Sequence, residues 1–298
     1  MKFISKKDIR LPKRKAGSRK GDNGYVLVVG GSRDFTGAAA LAGLAALRSG
    51  ADGAHIAAPE KVAWAINALS PDLVTIKLKG DYFSGKHVGI ISGLAKKRDV
   101  VLLGNGIGLR KETRQFAKKA VKKIRNSLVI DADGIKALST ADLENSIITP
   151  HIKELEIFMN NSGINKKIIK KLIAEKDIER KALMIRKAIS LLGIKKNNRN
   201  FFENNNFILL KGPVDAIIGE KNIAFNKTGN AGMTKGGTGD VLAGLAAGFL
   251  AQSKDLLQSA VNAAYYNGLI GDILLKRKKG FTYLASDMVE EIKRVLKK

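Results

Sequence analysis

Along almost its whole length this sequence alternates short apolar, β-branched runs with longer amphipathic segments, which leaves few folds open to it. The strands read from this pattern are 25–30, 54–58, 73–78, 100–103, 128–131, 147–149, 207–211 and 215–218. The helices are 37–49, 60–69, 111–124, 152–160, 165–192, 239–252, 255–275 and 286–296. Continuously apolar strands between helices predict an α/β fold: a mostly parallel sheet with helices on both faces. In such sheets ligands bind beyond the carboxyl ends of the strands. Glycines stand there: Gly30-Gly31, GNGIG at 104–108, and Lys211-Gly212. The polar, Asn-rich stretch 195–206 reads as a surface loop, and no composition break marks a domain linker.

Bulk properties narrow the classes. The longest apolar runs, 37–47 and 241–251, fall far short of a membrane span, so no membrane partner is expected. The basic start of the chain never reaches an apolar h-region, and the absence of cysteine excludes disulfides and thiol chemistry. The expectation is a cytoplasmic protein. Lys and Arg number 53 against 27 Asp and Glu, a net charge of +26 that raises nucleic-acid binding as an alternative. In 165–187, however, Ile168, Ile169, Leu172, Ile173 and Ile178 recur at helical spacing while lysines fill the other face. Aromatics are only 6% of the chain and are not interleaved with the basic clusters, so no specific nucleic-acid partner is expected.

The chemistry concentrates in 226–244, NKTGNAGMTKGGTGDVLAG. Gly236-Gly237-Thr238-Gly239 lead into an apolar, Gly- and Ala-rich helix that starts near Asp240. A helix N-terminus carries free N–H groups and a positive dipole end, and glycines let a phosphate reach them. Asp240 in the first turn is either an ordinary helix-start aspartate or a base beside an anion cradle, the pair that phosphoryl transfer to a hydroxyl needs. A second glycine-bearing stretch, GDYFSGKH at 80–87, is one residue short of a P-loop. His87 stands where a Mg²⁺-binding hydroxyl belongs, and Asp81-Tyr82-Phe83 is a bulky fill, so it reads as a decoy. His151 with Glu154 could orient a substrate and reach a metal-bound water, or could simply open a helix behind Pro150. Asp131 could neighbour Mg²⁺, with Asp133 a helix cap. His55 and His87 lack partners at metal-ligand spacing.

Taken in order, KGDNGYVLVVGGS (20–32), GAAALAGLAALRSGA (37–51), GNGIG, VIDADGIKAL (129–138), TPHIKE (149–154), LKG (210–212) and TGNAGMTKGGTGDVLAG resemble the ADP/ATP-dependent NAD(P)H-hydrate dehydratase family, a branch of the ribokinase-like fold. The resemblance implies a three-layer sandwich. It spans one domain, 20–298, preceded by a basic segment, 1–19. It also implies a reaction: a nucleotide, ADP or ATP, phosphorylates the hydroxyl of NADH or NADPH hydrate, and loss of phosphate restores the cofactor. Carried over by position, Asp240 is the base and a substrate contact. Ala39, Gly106 and His151 are further substrate contacts, with Ala38 and Gly104 as neighbouring alternatives. Lys211, Gly212, Pro213, Val214 and Asp215 bind the nucleotide, and Gly236, Gly237, Thr238 and Gly239 form its anion hole. Glu154 resembles the residue that places Mg²⁺ through water. A homo-oligomer and a separate NAD(P)H-hydrate epimerase are the implied partners. The sequence departs from the family pattern at Ile152-Lys153, at Asn105, which replaces the usual proline, and at Pro213-Val214-Asp215. A small-alcohol kinase of the hydroxyethylthiazole kinase type is the alternative, since it would share the GTGD turn.

Overall fold

The computed structural model describes residues 1–195 and 200–296. Its strands are β1 (Tyr25–Val29), β2 (Gly53–Pro59), β3 (Val74–Leu78), β4 (Val100–Leu103), β5 (Ser127–Ile130), β6 (Ser146–Ile148), β7 (Phe207–Leu210), β8 (Asp215–Ile218) and β9 (Ile223–Asn226). They form one nine-stranded sheet in the order β3-β2-β1-β4-β5-β6-β7-β8-β9. Strands β1 to β7 are parallel, and β8 pairs antiparallel with both β7 and β9. The four residues between β7 and β8 are too few for a crossover helix, so the chain must turn back as a hairpin.

The helices are α1 (Thr36–Arg48), α2 (Glu60–Leu69), α3 (Val88–Ala95), α4 (Lys111–Lys123), α5 (Asp133–Ala137), α6 (Ile152–Asn161), α7 (Lys166–Ala174), α8 (Ile178–Lys195), α9 (Thr238–Ser253), α10 (Leu256–Arg277) and α11 (Ala285–Val295). Successive strand residues point to opposite faces, so each parallel strand feeds two cores. Val26 and Val28 pack with α1, α2, α9, α10 and α11 on one face, Leu27 and Val29 with α3 to α8 on the other. The result is the expected three-layer α/β sandwich. Among the described residues no helix is long and apolar enough to cross a membrane.

Helix α9 lies against α1 as closely as its composition allows. A side chain at Gly244 would put its Cβ 2.2 Å from the Ala42 carbonyl oxygen, closer than any real carbon sits. The glycines and alanines of α9 therefore set the distance between two helices and hold the turn that precedes it.

Three local expectations are corrected. The single helix at 165–192 is two, because Asp177 accepts a hydrogen bond from the Arg180 N–H (2.8 Å) and opens α8, while Glu175 is already extended. Strand β9 and helix α3 were not anticipated; IAFN is short and only half covered, which leaves little alternation to read. The stretch 195–206 lies partly outside the described residues. Its end is no mere surface loop, since Phe201 and Phe202 are buried and the Asn206 side chain bonds Ser146, Leu143 and Phe201.

The basic start of the chain runs along the antiparallel edge. Ile4 donates to the Phe225 carbonyl and the Phe225 N–H to that of Lys2, at 2.7 and 2.9 Å. Edge groups of β9 that would otherwise stay open are thereby paired.

Candidate active site

The strand order reverses between β1 and β4, where parallel sheets open a crevice at their carboxyl ends. The crevice is closed at its base by the Gly31 N–H, which donates to the Asn105 carbonyl at 2.8 Å. Beside it, the ends of β4, β5, β6 and β7 meet the first turn of α9.

Asp131, at the end of β5, is 2% exposed and makes three contacts. Its Oδ1 accepts from the Thr149 hydroxyl (2.6 Å) and from Lys211 Nζ (3.0 Å), and its Oδ2 from Asn105 Nδ2 (3.0 Å). The same Asn105 nitrogen donates to Asp240 Oδ1 at 2.6 Å. Four strand ends are thus tied to the helix that carries Asp240. Burial, followed by the charge of Asp131, pushes the Asp240 carboxyl up to about 7, against the opposing pull of Asn105 and Lys211. Burial alone would push the Lys211 ammonium down. Asp131 and Glu154 outweigh it and hold its pKa above the ordinary lysine value.

The glycine turn is built for close approach. Gly237 caps α9 with a φ of +94°, and a Cβ there would lie 2.8 Å from both Ala285 and Leu41. Nothing lies within 4 Å of a Cβ at Gly236, and one at Gly239 would stand 3.4 Å from Lys211 Nζ. Lys211 and the free N–H groups of the first helical turn therefore face the same space. Thr238 differs from its neighbours: its hydroxyl donates inward, to the carbonyls of Met233 and Lys235 at 2.7 and 3.0 Å.

His151 caps α6, its Nδ1 accepting from the Lys153 and Glu154 N–H groups at 3.2 and 3.3 Å. Burial lowers its pKa, with Lys211 and Lys136 adding to this and Glu154 opposing. Glu154 is buried; its Oε2 accepts from the His151 N–H at 3.0 Å and lies 3.6 Å from Lys211 Nζ. The neighbouring backbones bond as well, Lys211 N–H to the Pro150 carbonyl at 2.8 Å. Downstream, Gly212 and Pro213 are exposed and Val214 half-buried. The Asp215 carboxyl accepts from the Gly212 N–H (3.1 Å) and Asn226 Nδ2 (3.0 Å), and burial pushes it up to about 6 against both bonds.

On the other wall, Gly106 touches the start of α1: its Cβ would lie 2.7 Å from Phe35 and 3.2 Å from Ala38. Ala39 is fully buried beneath Gly30, whereas Ala38 is half-exposed. Asp133 is not the helix cap that its spacing suggested. Ala132, with a φ of +51°, precedes α5, and the Asp133 carboxylate accepts from the Gly108 N–H (3.0 Å) and pairs with Lys136 (2.9 Å). Asn105 escaped the sequence reading as a functional residue. Its only signal there was a polar residue inside GNGIG, where a buried amide needs a partner.

Comparisons with known proteins agree on one family. The model for NAD(P)H-hydrate dehydratase matches residues 26–294. A bifunctional NAD(P)H-hydrate repair enzyme of Methanocaldococcus jannaschii is 40% identical over 290 residues, covering 96% of this chain and 51% of that protein. The chain spans about half the length of the bifunctional relatives it matches. An ADP-dependent (S)-NAD(P)H-hydrate dehydratase of Cenarchaeum symbiosum is 33% identical, covering 99% of this chain and 97% of that one. The crystal structure of the ADP/ATP-dependent NAD(P)H-hydrate dehydratase of Bacillus subtilis, obtained with ATP and Mg²⁺, superposes with a TM-score of 0.76 at 25% identity, covering 99% of this chain and 97% of that one. With the family model running from β1 into α11 and a relative matched along nearly all of both chains, this chain belongs to the NAD(P)H-hydrate dehydratase family.

Proposed function

We propose that this chain converts NADH or NADPH hydrate back to the dihydronicotinamide cofactor at the expense of ADP or ATP. The observation that carries the reading is the turn 236–240, where an anion-accepting helix start adjoins a carboxyl with a pKa of about 7. A base of that strength accepts a hydroxyl proton near neutral pH and returns it readily. Asp240 takes the proton of the hydrate hydroxyl as the hydroxyl oxygen attacks the terminal phosphorus of the nucleotide. The bond from that phosphorus to its bridging oxygen breaks, and the rest of the nucleotide leaves as AMP from ADP or as ADP from ATP. The N–H groups at Gly236–Gly239 and the Lys211 ammonium stabilise charge on the phosphoryl oxygens. The carbon–oxygen bond then breaks, its electron pair leaving with phosphate while the ring nitrogen lone pair assists. The adjacent carbon then gives up a proton to the departing phosphate or to water, and the double bond reforms.

Residues 211–215 would cradle the nucleotide, and Gly106 with His151 and Ala38 or Ala39 the hydrate. Mg²⁺ suits the donor set, because it is commonly held by one or two carboxylates together with phosphates and waters. Among the described residues Glu154 Oε1 has only longer contacts, 3.5 Å to His151 and 4.0 Å to Lys136, and would hold the ion through water. When bound, the ion would neutralise charge on the transferring group. No group of three His, Cys, Asp or Glu able to hold a metal is assembled among the described residues. The ADP-dependent names of relatives matched over nearly their whole length support ADP as the donor. Their (S) designation supports a partnership with an epimerase, which would feed in the other epimer.

The test is a single assay. Protein with Mg²⁺, NADH hydrate and either nucleotide should restore the near-ultraviolet absorbance of the dihydronicotinamide ring and release phosphate in equal amount. Nucleotide consumption without phosphate release, the hydrate persisting, would instead identify a small-alcohol kinase.

A further inference from the structure

We propose that Asn105 is a positioning residue for Asp240: its side-chain amide, wedged between Asp131 and Asp240, holds two carboxylates apart and directs the second toward the glycine turn. The inference rests on the role proposed above for Asp240 as the base. Asn105 is fully buried, and its Nδ2 spends one hydrogen on each carboxylate, at 3.0 and 2.6 Å. The opposite orientation would set Oδ1 against two carboxylate oxygens, so the carboxylates choose which end of the amide faces them. Its Oδ1 is left buried and without a partner among the described residues. Such a loss is retained when the other end of the group does something needed. The backbone is fixed as well, the Asn105 carbonyl accepting from Gly31, so the amide cannot drift.

The consequence for Asp240 is orientational first. With Oδ1 held, Asp240 Oδ2 has no hydrogen-bond partner among the described residues and is the oxygen left for substrate. It is also electrostatic. The charged groups acting on Asp240 are Asp131 from the end of β5, Lys211 from the end of β7 and Glu154 from α6. Asp131 and Glu154 favour the protonated form, whereas Lys211 and the Asn105 amide favour the carboxylate. Removing the amide leaves Asp131 to act on Asp240 without an intervening donor.

Asn105→Leu, which keeps the shape and removes the donor, tests this. The expected result is a kcat lowered about tenfold or more at neutral pH, with KM for nucleotide and hydrate little changed. The acid limb of the kcat profile should move up by about one pH unit, the scale of one lost charge-assisted hydrogen bond. A folded Asn105→Leu protein with native kcat and an unmoved acid limb overturns the proposal. If Leu does not fold, Asn105→Asp fills the same space and should move the limb further in the same direction; an unmoved limb there overturns it equally. A second readout needs no turnover. In the native protein the two Asn105 Nδ2 proton resonances should shift through the titration of Asp240, and the shift should vanish in Asp240→Asn. Resonances that do not respond overturn the positioning role, whereas a native chain that never restores the hydrate while they do respond overturns only the reaction.

Discussion

Residues 80–87 and 236–240 each set glycine in a turn that leads from the sheet into a helix, and each has a lysine and polar side chains close by. In the first, both ring nitrogens of the histidine are already spent. His87 is buried, with Nδ1 accepting from the Ser84 N–H and Nε2 meeting the Lys79 carbonyl, both at 3.1 Å. Phe83 is stacked on Phe116 at 5.0 Å, which fixes the turn to α4. The stretch follows β3, at the edge of the sheet. In the second, Gly236 is open, Asp240 keeps one oxygen without a hydrogen bond among the described residues, and four strand ends converge beside the point where the strand order reverses. Residue types alone do not separate the two; what differs is that His87 is bonded within its own turn while Asp240 presents an oxygen beside converging strand ends.

The sharpest way to break this contrast is Asp240→Asn. It should cost about 10²–10⁴-fold in turnover, the loss typical of a missing general base, with nucleotide affinity retained. Lys86→Ala, in the other turn, should change neither. Near-normal turnover from folded Asp240→Asn would reduce 236–240 to a second structural turn.

Lys211→Met comes next. It leaves Asp131 buried without its cation, which costs about 3–5 kcal/mol at a fully buried pair and about 2 here, because the lysine side chain keeps 21% exposure. Chemical denaturation should show that loss together with weakened nucleotide binding. An unchanged midpoint would mean that Thr149 and Asn105 suffice for Asp131.

The pH profile reads the Asp240 carboxyl directly. With Asp240 at about 7, kcat should fall roughly tenfold for each unit below neutrality. The folded state holds the Asp240 proton more tightly than the unfolded chain, so this group stabilises at low pH and loses its contribution as pH rises through about 7. The melting temperature of Asp240→Asn should therefore exceed the native value by more at pH 8 than at pH 5. The reverse order would mean that Asp240 is ionised well below neutrality.

The smallest expected effect compares two glycines. Gly237→Ala must hold a left-handed φ and crowd Ala285 and Leu41, so a loss of about 1–2 kcal/mol is expected. Gly85→Ala meets nothing within 4 Å and should stay within about 0.5 kcal/mol. Equal losses, read by thermal melts, would remove the structural distinction between the turns.

Much of this molecule was legible because its signals are local. Strand–helix alternation is written in consecutive residues, and β4, β8 and α2 fall where the pattern placed them. The helix start at Gly236–Asp240 is equally local, since glycines and a first-turn acid announce a helix N-terminus wherever the helix packs. Other positions depended on packing. Periodicity marks α1 as buried but does not say what Ala38 and Ala39 each touch; the packing of α1 sets Ala38 against Gly106 and Ala39 against Gly30. The break between α7 and α8 depended on one side chain, Asp177, competing for a backbone donor.

The sequence by itself determined the layer architecture and the glycine turn that opens α9, because side-chain alternation and the free N–H groups of a helix start belong to short stretches of chain. Only the tertiary structure decided what surrounds Asp240. Asn105 stands 135 residues before it, and Lys211 stands 80 residues from the Asp131 it pairs with. A carboxyl's proton affinity is set by burial and by charges a few ångströms away in space, and the chain brings those groups together only when the sheet closes.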